Sequence, residues 1–105
     1  SLDIEADMQS QNQAYLINFT AAWCITCQTN EKTALAREKV KEYLAEENIT
    51  YVKADWTNRN EEIAIGLAKY ERTGIPLYIF WKPGMRGSKI LPAVLTEDSL
   101  IKSMQ

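Results

Sequence analysis

Histidine is absent from the 105 residues, cysteine occurs twice, proline three times and glycine four times. Structural zinc ordinarily takes four Cys or His ligands. Without a histidine or a third cysteine, only an intermolecular site or one completed by carboxylates could hold that metal. Two cysteines are also too few for the disulfide framework of a small secreted domain. Basic blocks are missing as well: 12 Lys and Arg stand against 14 Asp and Glu, interspersed along the chain, for a net charge of −2. Nothing there neutralises a run of phosphates or docks on anionic lipid, so nucleic acid is not an expected partner. No apolar run approaches the ~20 residues a helix needs to cross a bilayer, and the N-terminus lacks the basic-then-apolar layout of a secretory signal. Ser1-Leu2-Asp3 opens without an initiator Met, which is expected at the edge of an excised domain.

What is present is the ordinary balance of a globular chain, 46% apolar and 25% charged, long enough to bury a core without a metal or disulfide staple. One domain, 1–105, is expected. Residues 1–13 read as an N-terminal arm or short helix, with Leu2, Ile4 and Met8 among acidic and amide residues. Ala14 to Thr20 is β-rich and apolar, as suits a strand buried on both faces. No Gly or Pro interrupts Cys24 to Glu46, and Leu35, Val40, Tyr43 and Leu44 fall near one face, which predicts one long helix opened by the cysteines. Ile49 to Trp56 reads as a second strand after a turn at Asn48. Asn58 or Asn60 can cap a second helix, with Glu61 and Glu62 in its first turn, Ile63, Leu67 and Tyr70 inward, and Gly74 beyond its end. Leu77 to Trp81 is a third strand, Lys82-Pro83-Gly84 a turn, Lys89 to Leu91 a fourth strand, and Thr96 the cap of a last helix reaching Met104. Helices alternating with strands, then a hairpin, demand a mixed α/β sheet with helices on both faces. The order resembles that of thioredoxin.

The chemistry centres on Cys24-Ile25-Thr26-Cys27. A thiol attacks as thiolate, so it needs a lowered pKa, an exposed sulfur and a second thiol to resolve the mixed disulfide. A Cys-x-x-Cys at a helix start supplies these: unpaired backbone N–H groups and the helix dipole favour an anion on Cys24. Cys24 is thus the expected nucleophile and Cys27, one turn further in and more buried, the resolving thiol. Beyond that Cys24–Cys27 disulfide no cofactor or metal is expected. Pro76, between a helix end and a strand, is a candidate cis-proline facing the cysteines, with the Ile75 backbone open to an extended substrate strand. Glu31, two helical turns beyond Cys24, either moves protons for Cys27 or is a solvated helix charge. Asn18 and Lys53 can approach from beneath as electrostatic tuning residues, though Lys53 fits a sheet edge equally. Trp23 packs beside the cysteines and shapes the docking surface, whereas Trp56 and Trp81 read as core. Asn18-Phe19-Thr20 and Asn48-Ile49-Thr50 match the glycosylation pattern and are discounted, the first for its place in a buried strand.

The segment Phe19-Thr20-Ala21-Ala22-Trp23-Cys24-Ile25-Thr26-Cys27-Gln28, followed by Asn30-Glu31, resembles the active site of the C-terminal domain of the DsbD family of thiol:disulfide interchange proteins. Lys53 to Arg59, Thr73 to Tyr78, Leu91-Pro92 and Leu95-Thr96 are similar to further blocks of that family, so the resemblance covers residues 14–104. It implies a periplasmic thioredoxin-like module of a polytopic bacterial inner-membrane protein. Such a module takes electrons from membrane-embedded cysteines, which cytosolic thioredoxin reduces. It passes them to the parent chain's own N-terminal periplasmic domain, and so to disulfide isomerases or cytochrome c maturation factors. The implied protein is a monomeric domain acting on protein thiols and disulfides. Two departures bear on its electrostatics. Asn18 is a neutral amide where some members carry an acid that raises the cysteine pKa, while Lys53 stands where thioredoxin has a lysine beside a buried aspartate. Three alternatives remain: a free-standing thioredoxin-like reductase, although Ile25-Thr26 differs from the Gly-Pro usual there; an oxidising folding catalyst; and a non-catalytic or metal-holding thioredoxin-fold binding module.

Overall fold

A computed structural model describes residues 3–71 and 74–105. Ser1 and Leu2 of the N-terminal arm, and Thr73 before the proline loop, lie outside them. In chain order the elements are α1 (Ile4–Ser10), β1 (Tyr15–Thr20), α2 (Ile25–Asn30), a π-helical turn (Glu31–Leu35), α3 (Glu38–Glu46), β2 (Thr50–Asp55), α4 (Glu61–Lys69), β3 (Leu77–Trp81), β4 (Lys89–Ile90) and α5 (Glu97–Met104). Among these residues no helix is long and apolar enough to cross a membrane.

The four strands form one sheet in the order β2-β1-β3-β4. β1 runs parallel to β2, with Asn18 opposite Lys53, and antiparallel to β3, with Asn18 opposite Tyr78. This is the expected mixed sheet. Every residue of β1 and β3 is buried, which explains why both read as continuous apolar runs and not as alternating ones. Alternation persists in where they point. Tyr15, Ile17, Phe19, Leu77, Ile79 and Trp81 join Leu67 of α4 on one face, while Leu16, Tyr78 and Phe80 meet Leu35, Val40 and Leu100 on the other. At ~1.5–3 kcal/mol for each fully buried large apolar side chain, these two clusters supply the main driving force. β2 and β4 are the two edge strands; the residues of β2 are exposed or half-buried.

Polar contacts fasten the short N-terminal helix. Asp3 caps α1 by accepting from the N–H groups of Glu5 (3.1 Å) and Ala6 (3.2 Å). Glu5 is buried, accepting from the Tyr15 hydroxyl at 2.6 Å and from the Tyr70 hydroxyl, with Lys69 Nζ at 3.4 Å. Burial raises the Tyr15 and Tyr70 pKa values first, and the bonds to Glu5 add to it.

Several boundaries differ from expectation. The single helix from Cys24 to Glu46 is divided: α2 passes into the π-helical turn, where the Ala36 N–H donates to the Glu31 carbonyl at 2.7 Å, and Arg37 is extended at ψ 140° before α3 begins. No Gly or Pro marks the break. It is held instead by tertiary bonds, since Asn30 Nδ2 donates to the Ala93 carbonyl at 2.7 Å and Thr33 Oγ1 to the Leu95 carbonyl at 3.1 Å. Past α4 it is Glu71, at φ 57°, and not Gly74, that takes the left-handed conformation. Asn60 occupies the N-cap of α4 without a side-chain cap bond.

Candidate active site

β1 carries the chain to Thr20 at its C-terminal end, and a short turn leads directly into α2. Cys24 is the N-cap of α2: its backbone is extended (φ −94°, ψ 104°) and its Sγ accepts from the Cys27 N–H at 3.2 Å. This is the role an Asp or Ser side chain plays at other helix starts, so the sulfur sits among unpaired N–H groups that favour an anion. Gln28 braces the turn by donating its side-chain amide to the Ala21 carbonyl at 2.9 Å. Cys24 and Cys27 are joined in a disulfide with Cα atoms 5.2 Å apart. Cys27 is 2% exposed and Cys24 8%. The order of burial matches expectation, but in the disulfide form the Cys24 sulfur is more sheltered than a freely exposed nucleophile.

The loop before β3 faces this pair. Ile75 packs against the cluster of Ala21, Cys24 and Cys27, and the Ile75-Pro76 peptide bond is cis, as the sequence suggested. Trp23 flanks the other side, 45% exposed, with Ile25 beyond it at 83%. Trp23 Nε1 donates to the Thr57 carbonyl at 3.0 Å, and the Ala22 N–H donates to Thr57 Oγ1 at 2.9 Å. Thr57 in turn donates its hydroxyl and N–H to Asp55, holding that carboxyl below the usual carboxylate range. The loop after β2 therefore braces the cysteine turn. Trp56 lies beside Trp23, ring centroids 6.0 Å apart, and Arg59 rests over both rings. Trp56 and Trp81 are buried, as read from the sequence.

Beneath the pair, on the face of β1 that α2 covers, lies a polar layer. Asn18 is 1% exposed; its Nδ2 donates to the Tyr51 hydroxyl at 2.8 Å, while its Oδ1 has no partner. Asn30, also buried, donates to the Tyr78 hydroxyl at 2.8 Å and accepts the Leu95 N–H at 3.0 Å. Burial raises the Tyr51 and Tyr78 pKa values; the Asn18 and Asn30 bonds oppose this, and the charge of Glu31 adds to it. Glu31 is half-buried at the start of the π-helical turn, so its charge acts on this layer. Lys53 is exposed on the edge strand β2, lining a cleft of about 140 Å³ with Thr20, Gln28, Asp55 and Thr57. The structure thus gathers Trp23, Cys24, Cys27 and Ile75 at one surface, sets Asn18 and Glu31 in or beside the layer beneath, and leaves Lys53 at the rim. Among the described residues no group of three or more His, Cys, Asp or Glu could hold a metal.

Thr57, Arg59, Tyr51 and Asn30 went unassigned from sequence. The contacts that tie them to the site are long-range, Tyr51 to Asn18 at 33 positions, Thr57 to Ala22 at 35 and Asn30 to Leu95 at 65, and no local pattern marks such pairings. The Trp-Thr-Asn-Arg segment after a strand was the one available signal.

A strand ending in Cys-x-x-Cys at a helix start, opposed by a proline loop at the head of an antiparallel strand, defines a thioredoxin-type dithiol domain. The chain belongs to the thioredoxin-like family, whose model matches residues 4–83. It is 32% identical over 88 residues to the thiol:disulfide interchange protein DsbD of Yersinia pestis, covering 84% of this chain but 14% of that protein's length. The C-terminal domain of Neisseria meningitidis DsbD in its oxidised form superposes with a TM-score of 0.72 at 21% identity, covering 95% of this chain and 89% of that one. A mutant thioredoxin from Halobacterium salinarum gives 0.63 at 26% identity, covering 99% and 82%.

Proposed function

We propose that this chain is a thiol:disulfide oxidoreductase domain that donates electrons by dithiol–disulfide exchange, acting as a relay in a DsbD-like protein. The observation that carries the reading is the Cys24–Cys27 pair at the N-terminus of α2, with Cys24 Sγ as the helix cap. In the reduced protein the same N–H groups would favour the Cys24 thiolate. That thiolate attacks one sulfur of a partner disulfide, forming a mixed disulfide as the partner's S–S bond breaks and its other sulfur leaves as thiolate. Cys27, losing its proton, then attacks Cys24 Sγ, closing the intramolecular disulfide and releasing the second partner thiolate. Two electrons and two protons pass in all from the dithiol to the partner disulfide. Glu31 takes up the Cys27 proton in this scheme. Trp23 and the backbone of Ile75 beside Pro76 receive the partner strand, and Asn18 and Lys53 tune the field beneath.

The relay context rests on the likeness to DsbD. In this reading the domain works at the periplasmic face of a bacterial inner membrane, between membrane-embedded cysteines and an N-terminal periplasmic domain of the same parent chain. A free-standing thioredoxin-like reductase is the second reading, supported by the 26% identity to the Halobacterium thioredoxin, which matches 99% of this chain. The test is the reduction potential of the Cys24–Cys27 couple, equilibrated against glutathione or thioredoxin and read by mass after trapping free thiols. A reversible couple near the ~−270 mV of thioredoxin is expected. A value near the ~−120 mV of DsbA would make the domain a disulfide donor, and the lack of any reversible couple would remove the enzymatic reading.

A further inference from the structure

We propose that Arg59 is a specificity-determining residue that reads a carboxylate on the partner polypeptide, so that the domain favours partners with an acidic side chain next to the reactive cysteine. This rests on the exchange reading above. Arg59 closes the turn after β2, its N–H donating to the Trp56 carbonyl at 2.9 Å. It does so at φ 51°, a left-handed conformation unfavourable for a residue with a Cβ. The side chain so placed lies in a notch: its guanidinium carbon is 4.3 Å from the Trp23 ring centroid and 5.2 Å from that of Trp56, the two rings being tilted at 56° to each other. Trp23 directly precedes Cys24 and is pinned by its bond to the Thr57 carbonyl. A positive charge therefore stands over the ring of the residue that directly precedes the attacking cysteine.

Among the described residues no carboxylate pairs with that charge. Cation–π contact engages the charge but needs none of the five guanidinium N–H donors. The three ion pairs among the described residues involve Arg37 and Lys69 only, and no hydrogen bond from the Arg59 side chain occurs among them. Asp55, the carboxylate at the start of the same turn, is already taken by the Thr57 hydroxyl and N–H. A planar fork of donors held by two rings and lacking a carboxylate suits bidentate recognition of one. Trp23 and Ile25, both exposed, supply an apolar surface beside it. The partner segment that fits is an extended strand with an apolar residue and an Asp or Glu close to its disulfide cysteine. As Cys24 attacks that sulfur and the partner's S–S bond breaks, the carboxylate meets Arg59. A rim charge of this kind acts mainly on the encounter rate.

The test uses two synthetic peptides with the same internal disulfide, one carrying Glu and the other Lys on both sides of a cysteine. The pre-reduced protein reduces each in a single turnover, two electrons passing from the Cys24/Cys27 dithiol to the peptide disulfide. The readout is the ratio of the two rates, in which any general change of reactivity cancels. The wild-type protein is expected to reduce the acidic peptide about three- to tenfold faster at low salt, falling toward equality at about 0.5 M salt. The net charge of −2 works against such a preference, so its appearance would report a local cation. Arg59→Gln should bring the ratio to about one, and Arg59→Glu should invert it. A wild-type ratio at or below one, a ratio insensitive to salt, or a ratio unchanged in Arg59→Gln overturns the proposal. If bis(2-hydroxyethyl) disulfide is reduced while the peptides are not distinguished, the charge reading alone falls. If the wild-type protein reduces none of the three disulfides, the exchange reading falls and takes this one with it.

Discussion

At the scale of single residues, burial separates the two cysteines. Cys24 retains 8% exposure at the mouth of the turn and Cys27 2% behind it, so the first is the sulfur a partner would reach. Once the mixed disulfide has formed, Cys27 is held one helical turn away, and such intramolecular positioning is worth effective molarities many orders above any free thiol. Cys27→Ser should therefore accumulate a mixed disulfide with a peptide disulfide and extend its lifetime by about a hundredfold or more, as measured by mass under non-reducing conditions. Cys24→Ser should accumulate little. Accumulation in Cys24→Ser alone would reverse the roles. The cysteines were legible because their chemistry lies in residue type and spacing. Asn30 was not: an amide within a helix carries no mark that its side chain will bond Tyr78, Ala93 and Leu95, 48 to 65 positions away.

Elements were readable where their own sequence ends them. α5 begins at Thr96, whose hydroxyl accepts the Ser99 N–H at 3.0 Å while Ser99 Oγ accepts the Thr96 N–H at 2.9 Å; Glu97 and Asp98 fill the first turn. Threonine in front of two acids announces a helix start locally, though the reciprocal serine, in place of the usual Glu or Gln, did not announce itself. Thr96→Ala removes the cap from a helix whose Leu100 and Met104 are in the core. It should cost about 1 kcal/mol, seen as a fall in Tm of about 4–8 °C. Thr96→Ser should restore most of it, and an unchanged Tm in Thr96→Ala would mean that packing alone sets the helix end. The break between α2 and α3 is the opposite case. Local propensity favours one helix there, and bonds from Asn30 and Thr33 to Ala93 and Leu95 override it.

Across the whole molecule, alternation of helix and strand was enough to require a mixed sheet, whereas the polar layers that tie helices to it are spread along the chain. Tyrosine serves both layers, and this sets the response to alkali. All five tyrosines, Tyr15, Tyr43, Tyr51, Tyr70 and Tyr78, have pKa values raised, with burial the largest cause in each. In the unfolded chain each ionises near its ordinary value of about 10, while the folded protein keeps its protons to higher pH. Above about pH 10 the unfolded state thus binds fewer protons than the native one, and stability falls as pH rises. Below that pH the tyrosines contribute no slope. Lys69 acts in the same direction: burial pulls its pKa down, but Glu5 and Asp3 outweigh that and raise it, so its favourable contribution is lost as pH climbs through its folded value. The Tm should accordingly begin a steady fall from about pH 10. Tyr15→Phe and Tyr70→Phe separate the tyrosine share from that of Lys69. Each removes a hydroxyl donor to Glu5 and should lower the Tm at neutral pH, yet each should also flatten the alkaline fall, because one raised tyrosine no longer titrates. A Tm level to about pH 11, or Phe variants with the wild-type slope, would show that these hydroxyls ionise in the folded protein as readily as in the unfolded chain.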